Sequence, residues 1–288
     1  MVSATSEPLF DGTVDIFNIF GPLIDDPISV GDNDSISGTP GGENGTNPGG
    51  EGVPINLFNE ILGTVDDDSL NGTSGIDEIM GLAGRDSLEG RGGGDRIFGE
   101  NGNDTLIGEL GNDSLLGGRD EDSILGGDGR DTLWGGRSND SLFGDDDADT
   151  LYGNQGNDCL FGGLEDDSLY GGREDDSLDG GEGDDTLLGD RGSDTLIGGS
   201  GEDLFVIAEN TGGLNLSDAD IITDYNPEDD DEIGLNGGLT RGQLEFSETL
   251  VGEDNPGIAI RIDEPGNEGD YLAIVLNVEE GEIEFTII

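Results

Sequence analysis

Aspartate recurs at every ninth residue of this chain from Asp68 to Asp203, sixteen times without a change of register. Two residues after each of these aspartates comes a large apolar residue, as at Leu70 and Phe205, and five residues before each comes glycine. Twelve of the sixteen residues directly after aspartate are Ser or Thr. A nine-residue period is typical of neither an α-helix nor a coiled coil, so it predicts stacked short strands joined by turns.

One nine-residue unit cannot bury its single apolar residue, so two units are expected to form one coil of two strands and two turns. Sixteen units then predict about eight coils of about 18 residues in an all-β fold, with the aspartates in two ladders along opposite edges. The candidate metal ligands are these sixteen aspartates: Asp68, Asp77, Asp86, Asp95, Asp104, Asp113, Asp122, Asp131, Asp140, Asp149, Asp158, Asp167, Asp176, Asp185, Asp194 and Asp203.

Carboxylates stacked about 5 Å apart repel one another strongly unless a cation neutralises them. Asp side chains and turn carbonyls offer only oxygen ligands in a flexible shell, which suits Ca²⁺ better than Mg²⁺ or a transition metal. Seven gaps in each ladder of eight turns predict about 14 calcium ions.

The formal charge of the chain is −58, with 10 Arg and no His. Such a chain repels nucleic acid phosphates and anionic membrane surfaces, so we expect no nucleic acid partner and no membrane insertion. A single cysteine and no histidine exclude a Cys/His zinc site and Ser-His or Cys-His catalysis. No paired-acid site stands out either, and we therefore predict that the chain is not an enzyme.

All nine prolines lie outside residues 63–206, which marks this block as a domain. We predict an N-terminal segment at 1–62 with a Gly/Pro-rich linker, the repeat domain at 63–206, and a β-rich C-terminal capping and secretion domain at 207–288. The first residues, MVSATSEPLF, lack the basic and apolar regions of a cleavable signal peptide. No apolar stretch is long enough to span a bilayer, so the chain is expected to be soluble.

Several units, including GGDGRDTLW, GGEGDDTLL and GGSGEDLFV, match the pattern G-G-x-G-x-D-x-U-x, in which U is a large apolar residue. At these residues the chain resembles the haemolysin-type, or RTX, family. The resemblance implies a right-handed parallel β-roll (a β-solenoid) with calcium in its turns, export by type I secretion, and folding triggered by extracellular calcium. The segment DADIITDYNPEDDDEIGL is similar to the family's β-rich C-terminal domain, and the terminal EIEFTII resembles its uncleaved secretion signal.

The chain departs from the pattern where another residue replaces the glycine two positions before aspartate. Aspartate tolerates a left-handed backbone better than glutamate or serine does, so we expect weaker or irregular sites around three of these positions. The replacements are Asp66, Asp120, Ser138, Asp147, Glu165 and Glu174, and the three positions are Ser138, Glu165 and Glu174.

The last residue of each predicted strand should face outward, and in many units it is apolar. Stacking between adjacent coils is the expected role of these side chains, and cover by another segment or another subunit is the alternative. Phe98, Leu116, Trp134, Tyr152 and Tyr170 fall on one sheet, and Ile107, Leu125, Phe143 and Phe161 fall on the other.

These observations favour a secreted calcium-binding β-roll with a structural or interaction role outside the cell. We expect it to be disordered without calcium and to fold at the roughly 10⁻⁴–10⁻³ M calcium typical of extracellular modules. The alternatives are a calcium-dependent adhesin, an ice-binding protein, or a non-catalytic remnant of an RTX exoenzyme. A regular Thr/Asn ladder is missing, which argues against ice binding. Partners beyond calcium stay open: an extracellular or cell-surface protein, a polysaccharide, or a second copy of the chain.

Overall fold

The computed structural model of the protein describes residues 58–208, 215–251, 255–264, 267–278 and 282–288. Leu57–Ile288 form one compact unit. The segment and linker predicted at 1–62 lie outside the described residues up to residue 57. Among the residues that the structure describes, no helix is long and apolar enough to cross a membrane.

The repeat region forms seventeen strands, two in each 18-residue step. They are β1 Asn59–Leu62, β2 Ser69–Asn71, β3 Asp77–Ala83, β4 Ser87–Gly93, β5 Arg96–Asn101, β6 Thr105–Gly111, β7 Ser114–Arg119, β8 Ser123–Asp128, β9 Thr132–Arg137, β10 Ser141–Asp146, β11 Thr150–Gln155, β12 Cys159–Leu164, β13 Ser168–Arg173, β14 Ser177–Glu182, β15 Thr186–Arg191, β16 Thr195–Ser200 and β17 Leu204–Ile207.

The region after the repeats is also β-rich. Its strands are β18 Asp220–Ile222, β19 Glu232–Leu235, β20 Leu244–Val251, β21 Asn255–Glu264, β22 Asn267–Leu276 and β23 Phe285–Ile287. Two single-turn 3-10 helices, Leu216–Asp218 and Arg241–Gln243, precede β18 and β20.

The strands form two sheets, one from alternate strands of the roll and one from the others. The odd sheet has the order β1-β3-β5-β7-β9-β11-β13-β15-β17-β19-β23, and the even sheet β2-β4-β6-β8-β10-β12-β14-β16-β18-β22-β21-β20. Neighbours within the roll are parallel and offset by 18 residues, as where Leu151 pairs with Leu133 on one side and Leu169 on the other. The predicted parallel β-solenoid of 18-residue coils is confirmed.

The apolar residue of each unit forms the core between the two sheets. From Ile79 to Phe205 these fifteen side chains have no exposed surface, whereas Leu70 in the first unit is only partly buried. The strands are longer than the three residues predicted: most contain six, because pairing continues through the first three residues of the next unit. Those residues are mostly glycine, which lets the backbones of adjacent coils stay close.

The C-terminal strands continue the same two sheets. β19 pairs with β17 in parallel and β18 pairs with β16, while β20, β21 and β22 form an antiparallel meander at the end of the even sheet. Ile222, Ile233 and Leu272 belong to the same buried cluster as the repeat residues. The domain boundaries at 62/63 and 206/207 stay predictions, and in the structure both sheets run through them.

The outward apolar residues are aligned as predicted. Phe143 pairs with Phe161, and Trp134, Tyr152 and Tyr170 pair in sequence along the odd sheet. Their rings are stacked nearly parallel, with centroids 5.0 Å apart for Phe143–Phe161 and 4.9 Å for Tyr152–Tyr170. Stacking at strand spacing therefore shields much of each ring within the sheet itself.

Candidate metal centre

One oxygen of each repeat aspartate is held by the backbone of the preceding coil. The N–H of Asp122 donates to Oδ1 of Asp140, 18 residues later, at 2.8 Å. The same bond recurs along both edges from the pair Asp68–Asp86 to the pair Asp185–Asp203, with lengths from 2.6 to 3.0 Å. The structure therefore brings the predicted ligands together as two ladders, one on each edge of the roll.

The second carboxylate oxygen, Oδ2, is buried and has no hydrogen-bond partner in most units. Buried polar atoms are almost always paired, so a regular series of unpaired ones indicates a ligand. Within the described residues these atoms are the Oδ2 of Asp86, Asp95, Asp104, Asp113, Asp122, Asp131, Asp140, Asp149, Asp158, Asp167, Asp176, Asp185 and Asp194.

The first glycine of each unit makes room for this oxygen. A Cβ added at Gly90 would lie 2.5 Å from Oδ2 of Asp95 and 3.0 Å from the carbonyl oxygen of Gly108. Oδ2 of one coil and a carbonyl oxygen of the next coil therefore border the same small space. That space lies between successive turns of one edge, where the sequence predicts a cation.

Burial makes these carboxylates poor anions in the absence of a cation. It raises the pKa of Asp140 to about 8 and that of Asp176 to about 9, and neighbouring carboxylates raise both pKa values further. The backbone N–H donated to each Oδ1 opposes the shift and lowers the pKa. At neutral pH the ladder therefore needs either protons or bound cations.

The available ligands fit calcium. They are carboxylate and carbonyl oxygens, which a hard cation with a flexible shell prefers. No group of three or more Asp, Glu, His or Cys side chains converges on one point in the described part of the chain. Each site would therefore need backbone carbonyls beside the aspartates, as the turn geometry provides.

Asp68 and Asp77 differ from the other ladder members. Oδ2 of Asp68 accepts the N–H of Thr64 at 2.6 Å and its hydroxyl at 2.9 Å, and Oδ2 of Asp77 is bonded in the same way by Thr73. Threonine stands at this second position only in the first two units. The first coil thus satisfies its carboxylates from within the protein, so only the later units present an unpaired oxygen.

Two further aspartates, which the period of nine could not find, continue the ladders. Asp194 donates its N–H to Oδ1 of Asp220 at 3.1 Å, and Asp203 donates to Oδ1 of Asp231 at 3.0 Å. Both new members are buried. The signal they share with the repeats is an apolar residue two positions later, at Ile222 and Ile233, but the spacing is 26 and 28 residues instead of 18.

The units that lack the second glycine keep the regular backbone. Ser138, Glu165 and Glu174 adopt positive φ angles of 74°, 68° and 72°, as glycine does at the same position elsewhere. The ladder bonds of their units are unbroken, as where Asp122 bonds to Asp140. The irregular geometry expected around these residues is therefore not present, while weaker calcium binding there stays a prediction.

The fold and the ladders together define a parallel β-roll with a cation-binding turn in most units. A family model described as "RTX calcium-binding nonapeptide repeat (4 copies)" matches residues 62–97, 89–124, 125–160, 134–169, 152–187, 161–196 and 170–205. These matches span half of the 288 residues. The chain belongs to the family of proteins with RTX calcium-binding nonapeptide repeats, and it is a calcium-binding β-roll protein.

Ten chains of solved structures match the protein. One is described as "Crystal structure of extracellular lipase LipA from Serratia marcescens", with 15% sequence identity and a TM-score of 0.33. The match covers 80% of this chain and 40% of that chain. A search of curated protein sequences returned no match.

Proposed function

We propose that the protein is secreted and folds outside the cell when calcium fills the gaps between its turns. Its role there is structural or interactive. The observation that carries the proposal is the series of thirteen buried, unpaired Oδ2 atoms. Leaving so many buried carboxylates without a counter-charge would destabilise the roll, so calcium binding and folding are one coupled event.

Circular dichroism of the full chain at neutral pH, with and without millimolar calcium, tests the coupling. We expect a disordered spectrum in chelator and a β spectrum after calcium is restored. Magnesium is the matched control, since its smaller shell and preference for bound water should prevent it from replacing calcium. A chain that is equally folded in chelator would contradict the proposal.

Type I secretion is supported by the family's habit and by the terminal sequence EIEFTII. In the cytosol, low calcium would keep the repeats unfolded and suited to a narrow channel. Coexpression with a type I apparatus should deliver the intact chain to the medium, and a chain ending at residue 281 should remain inside. Equal export of both chains would contradict a signal at this end.

We propose no enzymatic activity for the chain. The family's repeats form a scaffold, and this sequence has no histidine and one cysteine, which is exposed. A screen of the calcium-loaded protein against ester, peptide and glycoside substrates should give no turnover above the level of a denatured control. Turnover that survives purification would overturn this part of the proposal.

A further inference from the structure

The gap between Asp194 and Asp220 joins the last full repeat to the C-terminal region. Asp194 donates its N–H to Oδ1 of Asp220, and Ile221 donates its N–H to the carbonyl of Asp194 at 2.7 Å. Both aspartates are almost fully buried, with 0% and 1% of their surface exposed. Asp220 lies outside the nonapeptide matches, which end at residue 205.

This gap contains more negative charge at close range than a repeat gap requires. The side chains of Asp194 and Asp220 are within hydrogen-bonding contact of each other, in addition to the backbone bond. Oδ2 of Asp194 is buried and has no hydrogen-bond partner. Asp190 adds a third negative charge that acts on both side chains. Two buried carboxylates in contact need a cation between them or a shared proton.

We propose that Asp194 and Asp220 together bind a calcium ion at a site outside the repeat array, and that this site fills at the lowest calcium concentration. The inference rests on the proposed function, since it assumes that the roll binds calcium. Calcium affinity increases with the number of charged ligands, and this gap offers two carboxylates in contact. An ion here would fix β18 against β16 and so attach the C-terminal strands to the roll.

Stepwise calcium titration of the full chain, with native mass spectrometry to count ions, tests the site. Asp220→Asn keeps an oxygen that can accept the N–H of Asp194 but removes the second charge. We expect one fewer ion, and a first binding step weaker by at least ~10-fold. Asp218→Asn, an exposed change just before the site, is the control and should leave both values unchanged.

An unchanged ion count and first binding step in Asp220→Asn would overturn the site and show that the pair shares a proton. Should that variant stay unfolded in saturating calcium, limited proteolysis of the wild-type chain decides. The C-terminal strands should gain protection at lower calcium than the repeats, and the reverse order would overturn the proposal. A wild-type chain that binds no calcium would instead contradict the proposed function itself.

Discussion

Thr73 donates two hydrogen bonds to Oδ2 of Asp77, from its N–H at 2.6 Å and from its hydroxyl at 3.0 Å. In Asp140 the same oxygen is buried and unpaired. The two aspartates occupy the same position in their units, yet one is neutralised by dipoles of the protein and the other awaits a cation. The roll therefore begins with a coil that closes without metal.

This contrast predicts different outcomes for the same substitution. Asp140→Asn should lower the number of bound calcium ions, because it removes a charged ligand. Asp77→Asn should leave the ion count unchanged and reduce stability by about 1 kcal/mol, through a weakened hydrogen bond. Native mass spectrometry gives the count, and thermal unfolding in saturating calcium gives the stability. Loss of an ion from Asp77→Asn would contradict the assignment.

Acid should replace calcium in stabilising the roll. The folded pKa values, such as about 8 for Asp140 and about 7 for Asp122, lie above the ordinary value near 3.8. The folded state therefore binds more protons than the unfolded state, and its stability is present at low pH and is lost as pH rises through these values.

Metal-free protein is thus expected to keep β structure at pH 5 and to unfold by pH 9. Circular dichroism of protein dialysed free of metal measures this. Calcium competes with the same protons, so calcium affinity should rise over the same pH range. A metal-free chain that is more ordered at pH 9 than at pH 5 would contradict the prediction.

The first glycine of a unit should resist substitution where the next residue but one does not. A Cβ at Gly135 would lie 2.5 Å from Oδ2 of Asp140, whereas a Cβ at Gly92 meets its nearest neighbour, the carbonyl of Leu110, at 3.6 Å. Gly135→Ala should destabilise the calcium-loaded roll by about 1–3 kcal/mol, and Gly92→Ala should be tolerated. Denaturant unfolding of both variants in saturating calcium compares them.

Removing backbone strain should stabilise the roll at Ser138. This residue has a φ of 74°, which costs a non-glycine residue about 1–2 kcal/mol, so Ser138→Gly should gain about 1 kcal/mol. Glu174→Gly is the informative comparison, because Oε2 of Glu174 accepts the N–H of Gly156 at 3.1 Å and that bond would be lost. Equal gains in thermal stability for both variants would show that the bond contributes nothing.

The stacked rings of Phe143 and Phe161 should stabilise the even sheet within one molecule. Their near-parallel contact at 5.0 Å predicts a coupling of about 0.5–1.5 kcal/mol in a double-mutant cycle with alanine. Light scattering should give the same molar mass for the wild type and the double variant. A fall in mass would instead assign this stripe to an interface between subunits.

The period of the sequence was sufficient to predict the coils, the buried apolar column and the two ladders, since each depends only on contacts 18 residues apart. Leu133, Trp134 and Asp140 could be placed from their position in a unit alone. Asp220 and Asp231 could not, because longer connections separate them from the preceding coil and hide their register. The role of Thr73 was also missed, since its hydrogen bonds depend on a turn conformation that spacing does not specify.

The 18-residue offset gives the roll a parity. Deleting two adjacent units would shorten it by one coil and leave every remaining residue on its original edge and sheet. Deleting one unit would move all downstream aspartates to the opposite edge, and would place Tyr152 and Tyr170 against the stack of Phe143. Changes of length within this architecture should therefore be tolerated in even numbers of units.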